Sequence, residues 1–216
     1  MKIEEEKFLE KLIIKPRLTS THTDYSRYVG CSMLPAMFDE VFDAKYNKVN
    51  QYILDTRERI AGNEPKIEPE LQNIVVVNSI IEPFIKEWFI HKIKKEGFKV
   101  KDKQAKAEKS YVHKTLKLSA SLDGVMDING KETIIEIKRS AKNFENVQNF
   151  YFPQIIGQQM CTGIKSTMLV VLNKFSDELS YIKINHNDIE PDWFTEIEKK
   201  VKSFWTRVVE THPISF

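Results

Sequence analysis

Cysteine is scarce in this chain, and long apolar runs are missing altogether. Only Cys31 and Cys161 occur, far apart and with no CxxC or Cys/His spacing. That excludes a zinc ribbon, an iron–sulfur cluster and a disulfide framework, and it suits a reducing cytosol. No stretch approaches the roughly 20 apolar residues of a membrane helix, so no membrane role is expected. The opening MKIEEEKFLE is acidic where a secretory leader is basic and then apolar, and a cytoplasmic location is the expectation. A dominant charge is also lacking, with 33 Lys+Arg against 31 Asp+Glu. Bulk charge therefore does not draw the chain to a polyanion, and any nucleic-acid face must come from local clustering. The histidines (His22, His91, His113, His186, His212) show no ligand spacing and read as structural or surface residues.

What remains is an ordinary globular composition, 41% hydrophobic and 30% charged over 216 residues, enough for a single domain with a substantial core. Apolar residues at helical spacing cover 32–60 (Leu34, Met37, Phe38, Val41, Phe42, Tyr46, Val49, Tyr52, Ile53). The proline- and glycine-bearing 61–70 reads as a loop, and 72–95 as a helix burying Ile81, Phe84, Ile85, Trp88, Phe89 and Ile93. Lys99, Lys101, Lys103, Lys106 and Lys109 make 99–109 a basic segment, an irregular strand or an exposed loop. Strands are expected at 115–121, 133–137, 167–172 and 180–184, with helices at about 150–163 and 190–209. Trp88, Trp193 and Trp205 fit core positions better than base-stacking ones. The pattern predicts an α/β fold, a central mixed sheet flanked by helices. The domain would divide into a helical part at about 1–97, a sheet core at about 98–185 and a C-terminal helix at about 190–210.

Asn129-Gly130 is the strongest short hairpin signal in the chain. As the centre of a type I′ turn it sets Ile128 against Lys131 and Asp123 against Glu136. Opposed residues share a face, with Cβ atoms roughly 4.5–5.5 Å apart. Lys138, two residues on, joins them on that face. Paired carboxylates repel unless a proton or cation lies between them. Hard oxygen donors of this kind suit Mg²⁺ or Mn²⁺. A solvated acid pair bridged by Lys138 is the plainer reading. Ile134, Ile135 and Ile137 speak against it, because they mark a strand buried on both faces, where an unpaired carboxylate is costly.

The segment LDGVMDINGKETIIEIK (122–138) resembles the core of the PD-(D/E)xK nuclease superfamily. YVGCSMLPAMF (28–38), NSIIEPF (78–84) and YFPQIIGQQMCTG (151–163) resemble blocks of one branch, the phage-type alkaline exonucleases and YqaJ-like viral recombinases. The resemblance implies a restriction-endonuclease-like core. It makes Asp123, Glu136 and the backbone carbonyl of Ile137 ligands of one or two Mg²⁺ ions, with Mn²⁺ as a substitute, and Glu82 a further ligand directly or through water. Lys138 would position the attacking water, and Gln154 would contact the nucleophile or the scissile region. Ser32 would hold a substrate phosphate at a helix N-terminus. The branch's upstream arginine has no aligned match, and Arg27 and Arg17 stand nearby at a different spacing. Arg139 and Lys142, just past Lys138, are backbone-contact candidates. Gln158 and Gln159 read as solvent-facing helix residues.

The expected activity is a Mg²⁺-dependent exonuclease acting on double-stranded DNA ends. By resemblance it serves phage-type recombination in a bacterial cytoplasm, beside a single-strand annealing protein and as a homo-oligomeric ring trimer. An endonuclease of the same superfamily for defence or repair is the alternative. From another class, a non-catalytic DNA-end-binding protein could keep the fold, and the intact Asp/Glu/Lys trio argues against it.

Overall fold

The computed structural model describes residues 28–63 and 69–210. Arg17, Arg27, His22 and His212 lie outside them. Where one helix is expected over 32–60, the chain forms a strand β1 (Val29–Gly30), a 3-10 turn (Cys31–Met33) and three helices, α1 (Leu34–Phe38), α2 (Glu40–Tyr46) and α3 (Lys48–Ile60). The breaks have local causes. Asp39 is extended (φ −100°, ψ 90°) and its carboxylate caps the next helix by accepting from Phe42 N at 2.8 Å. Asn47 takes a left-handed conformation at φ 48°. The part expected to be wholly helical thus also contributes a strand.

Helix α4 (Pro69–Lys95) follows, then β2 (Val100–Asp102), the short α5 (Gln104–Ala107), β3 (Tyr111–His113) and β4 (Leu118–Ala120). The hairpin is β5 (Gly124–Ile128) and β6 (Lys131–Ser140), then come α6 (Phe144–Thr162), β7 (Ser166–Asn173), β8 (Leu179–Asn185) and α7 (Pro191–Val209). The main sheet runs β2-β5-β6-β7-β8, antiparallel except where β6 lies parallel to β7. A second sheet, β1-β4-β3, pairs β1 parallel to β4. The basic segment 99–109 therefore holds β2 and α5, and its Lys103 and Lys106 are paired with Glu132.

Alternation along β6 divides the interior into two cores. Ile134 packs with α1, α3, α6 and α7, while Ile135 and Ile137 pack with α4. Gly157 of α6 lets that helix lie against the turn Cys31–Met33 and α1. A Cβ there would sit 2.5 Å from Leu34 Cδ1 and 3.0 Å from Cys31 Sγ, both buried. Gly157→Ala is expected to cost about 1–3 kcal/mol by overpacking, read as a lowered midpoint in urea unfolding.

Helix α4 buries most of the expected face, Ile81 packing partly buried beside it, and departs from expectation at two positions. Ile85, Phe89, Ile90 and Ile93 are buried, as is Lys86, whose ammonium meets Asp102 Oδ2 and Gln104 Oε1 at 2.8 Å each. Phe84 and Trp88 are instead 41% and 45% exposed, on an outer stripe with Val77 and Ile80. A helix with apolar residues on both sides carries only a weak periodic signal for where its buried face ends. Trp193 packs against Phe38 and Phe152, and Trp205 against Phe204, as core residues.

Candidate functional site

Asn129 (φ 54°) and Gly130 (φ 80°) both adopt the left-handed geometry that a type I′ turn requires, and Asp127 Oδ1 accepts from Gly130 N at 2.7 Å. The ladder then runs from Ile128↔Lys131 to Gly124↔Ile135, the register implied by that turn. At its far end Gly124 permits a close approach, since a Cβ there would lie 3.1 Å from Ile135 Cβ. Asp123 stands one residue past the last pair. Its Oδ2 accepts from Ile137 N at 2.8 Å, so the carboxylate reaches across to β6 instead of continuing the ladder.

Glu136 is buried on the face of β6 that looks toward α6. Its Oε1 accepts from Lys138 Nζ and from Gln154 Nε2 (2.6 Å), and its Oε2 from Gln158 Nε2 (2.5 Å). Lys138 Nζ also lies 4.6 Å from the centre of the Tyr151 ring. Tyr151, Gln154 and Gln158 are thus one face of α6, at i, i+3 and i+7.

The electrostatics follow from this crowding. Burial pushes the Asp123 carboxyl up to about 7, and the charges of Glu136 and Glu82 push the same way. Lys138 and the Ile137 N–H pull it down. For Lys138 burial favours the neutral amine, yet Glu136, Asp123 and Tyr151 outweigh it and hold the ammonium above its ordinary range. Burial raises the Cys31 thiol well above its ordinary range, and neighbouring Cys161 and the Glu136 charge add to the effect. Glu82, half-buried on α4, is therefore close enough to act on Asp123 from a third element.

Asp123, Glu136, Lys138, Gln154 and Glu82 come together. The others do not join them. Among the described residues, Ser32, Arg139 and Lys142 make no hydrogen bond or ion pair with the acid cluster. Ser32 is exposed in the turn Cys31–Met33, Arg139 is exposed one residue past Lys138, and the Lys142 ammonium lies 5.4 Å from the Phe150 ring centre. Ile137 gives its N–H to Asp123.

Two residues read as solvent-facing are buried instead. Gln158 holds Glu136, and Gln159 donates to Thr167 Oγ1 (3.1 Å) and Ile184 O (3.2 Å). The signal that could have found Gln158 is its position four residues after Gln154, on the face already assigned to the site.

The donors of the cluster are hard oxygens, with Glu136 buried and Asp123 and Glu82 partly so. That is the chemistry of a divalent-ion site, not of a soft-metal one. Among the described residues no group of three His, Cys, Asp or Glu side chains closes into a ready-made cage. An ion here would be held by Asp123 and Glu136 and complete its coordination with water or a substrate oxygen, as Mg²⁺ usually does.

No protein-family model and no curated protein matches the chain. Among solved structures, the alkaline exonuclease LHK-Exo from Laribacter hongkongensis aligns with TM-score 0.57 at 18% identity, over 87% of this chain and 90% of that one. LHK-Exo in complex with dAMP aligns with TM-score 0.58 at 18% identity, over 88% and 91%. The crystal structure of SSO0001 aligns with TM-score 0.47 at 11% identity, over 84% of this chain and 76% of that one. The chain shares the restriction-endonuclease-like fold of the exonuclease along most of its length.

Proposed function

We propose that the protein is a Mg²⁺-dependent DNA nuclease that degrades duplexes from their ends, with Mn²⁺ as a substitute ion. The observation that carries this reading is the Asp123–Glu136–Lys138 cluster, built by one tight hairpin around a buried Glu136. The shared fold with an alkaline exonuclease, one of whose structures holds dAMP, supports it.

Asp123 and Glu136 would hold the ion, with the Ile137 carbonyl and Glu82 as further oxygen donors. A bound divalent ion lowers the pKa of water and offsets charge developing on a phosphate. Lys138, anchored between Glu136 and the Tyr151 ring, has donors to orient the attacking water and to stabilise the charged transition state. Gln154, whose amide donates to Glu136 Oε1, would contact the nucleophile or the scissile region. Ser32, Arg139 and Lys142 are proposed to meet the DNA backbone farther out. We further propose that the enzyme resects ends for recombination beside a single-strand annealing protein. Among the described residues no helix is long and apolar enough to cross a membrane.

A plasmid tests the reading. With Mg²⁺, the linearised form should be digested progressively and the covalently closed circle left intact, and chelation should stop digestion. Cutting of closed circles would instead make it an endonuclease. Tight binding of ends without cleavage, in Mg²⁺ or Mn²⁺, would make it an end-binding protein.

A further inference from the structure

Gln158 is a long polar side chain with no exposure to solvent, committed to one partner in the acid cluster. Its amide donates to Glu136 Oε2 at 2.5 Å, while Gln154, one turn earlier and also buried, donates to Oε1 at 2.6 Å. One helix therefore grips a single carboxylate at both oxygens. Two donors fixed to one rigid element leave that carboxylate no freedom to rotate about its terminal bond. The Gln158 amide also lies 3.5 Å from Ser121 O, in the segment that leads into Asp123, so the same group touches the approaches to both acids.

Buried amides are common as plain structural glue, and the neighbouring residue provides that case. Gln159 is equally buried on the same helix, but its amide ties β7 to β8 through Thr167 and Ile184, away from the cluster. The pair offers a comparison at matched residue type, depth and helix position.

Resting on the reading of the cluster as a divalent-ion site, we infer that Gln158 is a positioning residue for the metal. It fixes the plane of the Glu136 carboxylate so that a ligand lone pair faces Asp123, and so it sets the affinity of the site. Lys138 and Gln154 both bond Oε1, and among the described residues Gln158 alone donates to Oε2. Without it the carboxylate could turn its second oxygen away from the ion. Groups that orient a metal ligand characteristically change affinity about 10–100-fold when removed.

Gln158→Met keeps the length and apolar bulk of the side chain and removes both donor and acceptor. Mn²⁺ titrated calorimetrically into this variant should bind about 10–100-fold more weakly than to the unmodified protein. Cleavage of a linear duplex should need correspondingly more Mn²⁺ and recover to within a few-fold at saturation. Gln159→Met should lower the melting temperature in EDTA with Mn²⁺ affinity unchanged. Should Gln158→Met fold poorly, Gln158→Asn, which withdraws the amide by one methylene, makes the same comparison. Unchanged Mn²⁺ affinity in a folded Gln158 variant overturns the inference while the nuclease reading stands. A parent protein that binds no Mn²⁺ overturns both.

Discussion

Lys138→Met is expected to lower single-turnover cleavage of a linear duplex by a factor of about 10²–10³ or more, the effect of losing one preorganised transition-state donor. The same variant should bind Mn²⁺ at least as tightly as the parent. The two results pull apart because Lys138 has two relations to the site. Toward substrate it is the only ammonium bonded to the acids among the described residues, held above its ordinary pKa by Glu136 and Asp123. Toward the acids it is a competing cation, bonded to the same Glu136 carboxylate that an arriving ion would share. Removing it takes away the ammonium bonded to the buried Glu136 carboxylate, a destabilising change in the metal-free protein. In EDTA above neutral pH, Lys138→Met should therefore melt below the parent, and Mn²⁺ should raise its melting temperature by more than it raises the parent's. Near-parental cleavage by Lys138→Met would sink the assigned role, and a matching loss of Mn²⁺ binding would sink the competition between the two cations.

The hairpin was legible because its information is local. Asn129-Gly130 dictates a turn, the turn dictates a register, and the register brings Asp123 to Glu136 with no knowledge of the rest of the chain. Strands β7 and β8 and helices α6 and α7 were legible from period alone, α6 beginning a little earlier than expected at the Asn143 cap. Legibility stopped where the deciding partner lies far away in sequence. Nothing local announces that the two residues Val29 and Gly30 pair with Leu118 and Ser119. Of the α4 residues expected to be buried, Phe84 and Trp88 were misread because both sides of the helix are apolar, and the buried side also carries Lys86. There Lys86 is stabilised by Asp102 and Gln104, invisible in the helix's own sequence. Gln158 was misread for the same reason. A glutamine looks like surface until the buried acid it serves, Glu136, is known to lie beside it.

That burial also makes the site pH-dependent, with a sign that can be worked out. The Asp123 carboxyl stands at about 7 in the folded protein, against an unfolded carboxyl near 3.9. Between these values the folded state holds a proton that the unfolded chain has released. Its contribution to stability is therefore fully present below about pH 4, is lost as pH rises, and is gone above about 7. In EDTA the melting temperature of the parent should fall between pH 5 and 8. Asp123→Asn should remove this fall and melt above the parent at pH 8. Asparagine can still accept from the Ile137 N–H, and it presents Glu136 with a donor where a second negative charge had been. Metal binding has the complementary dependence, since the ion must displace the Asp123 proton. Below about pH 7 the parent's affinity for Mn²⁺ should drop roughly tenfold per pH unit, one proton released for each ion bound. Cleavage at fixed, subsaturating metal should climb over the same range and level off on the alkaline side. Asp123→Asn should show neither Mn²⁺ stabilisation nor cleavage at any pH. A Mn²⁺ affinity that stays flat from pH 5.5 to 8 would mean that Asp123 is ionised before the metal arrives. The neighbouring acids could not then be crowding it, and the cluster would not be the compact anionic pocket on which the catalytic reading depends.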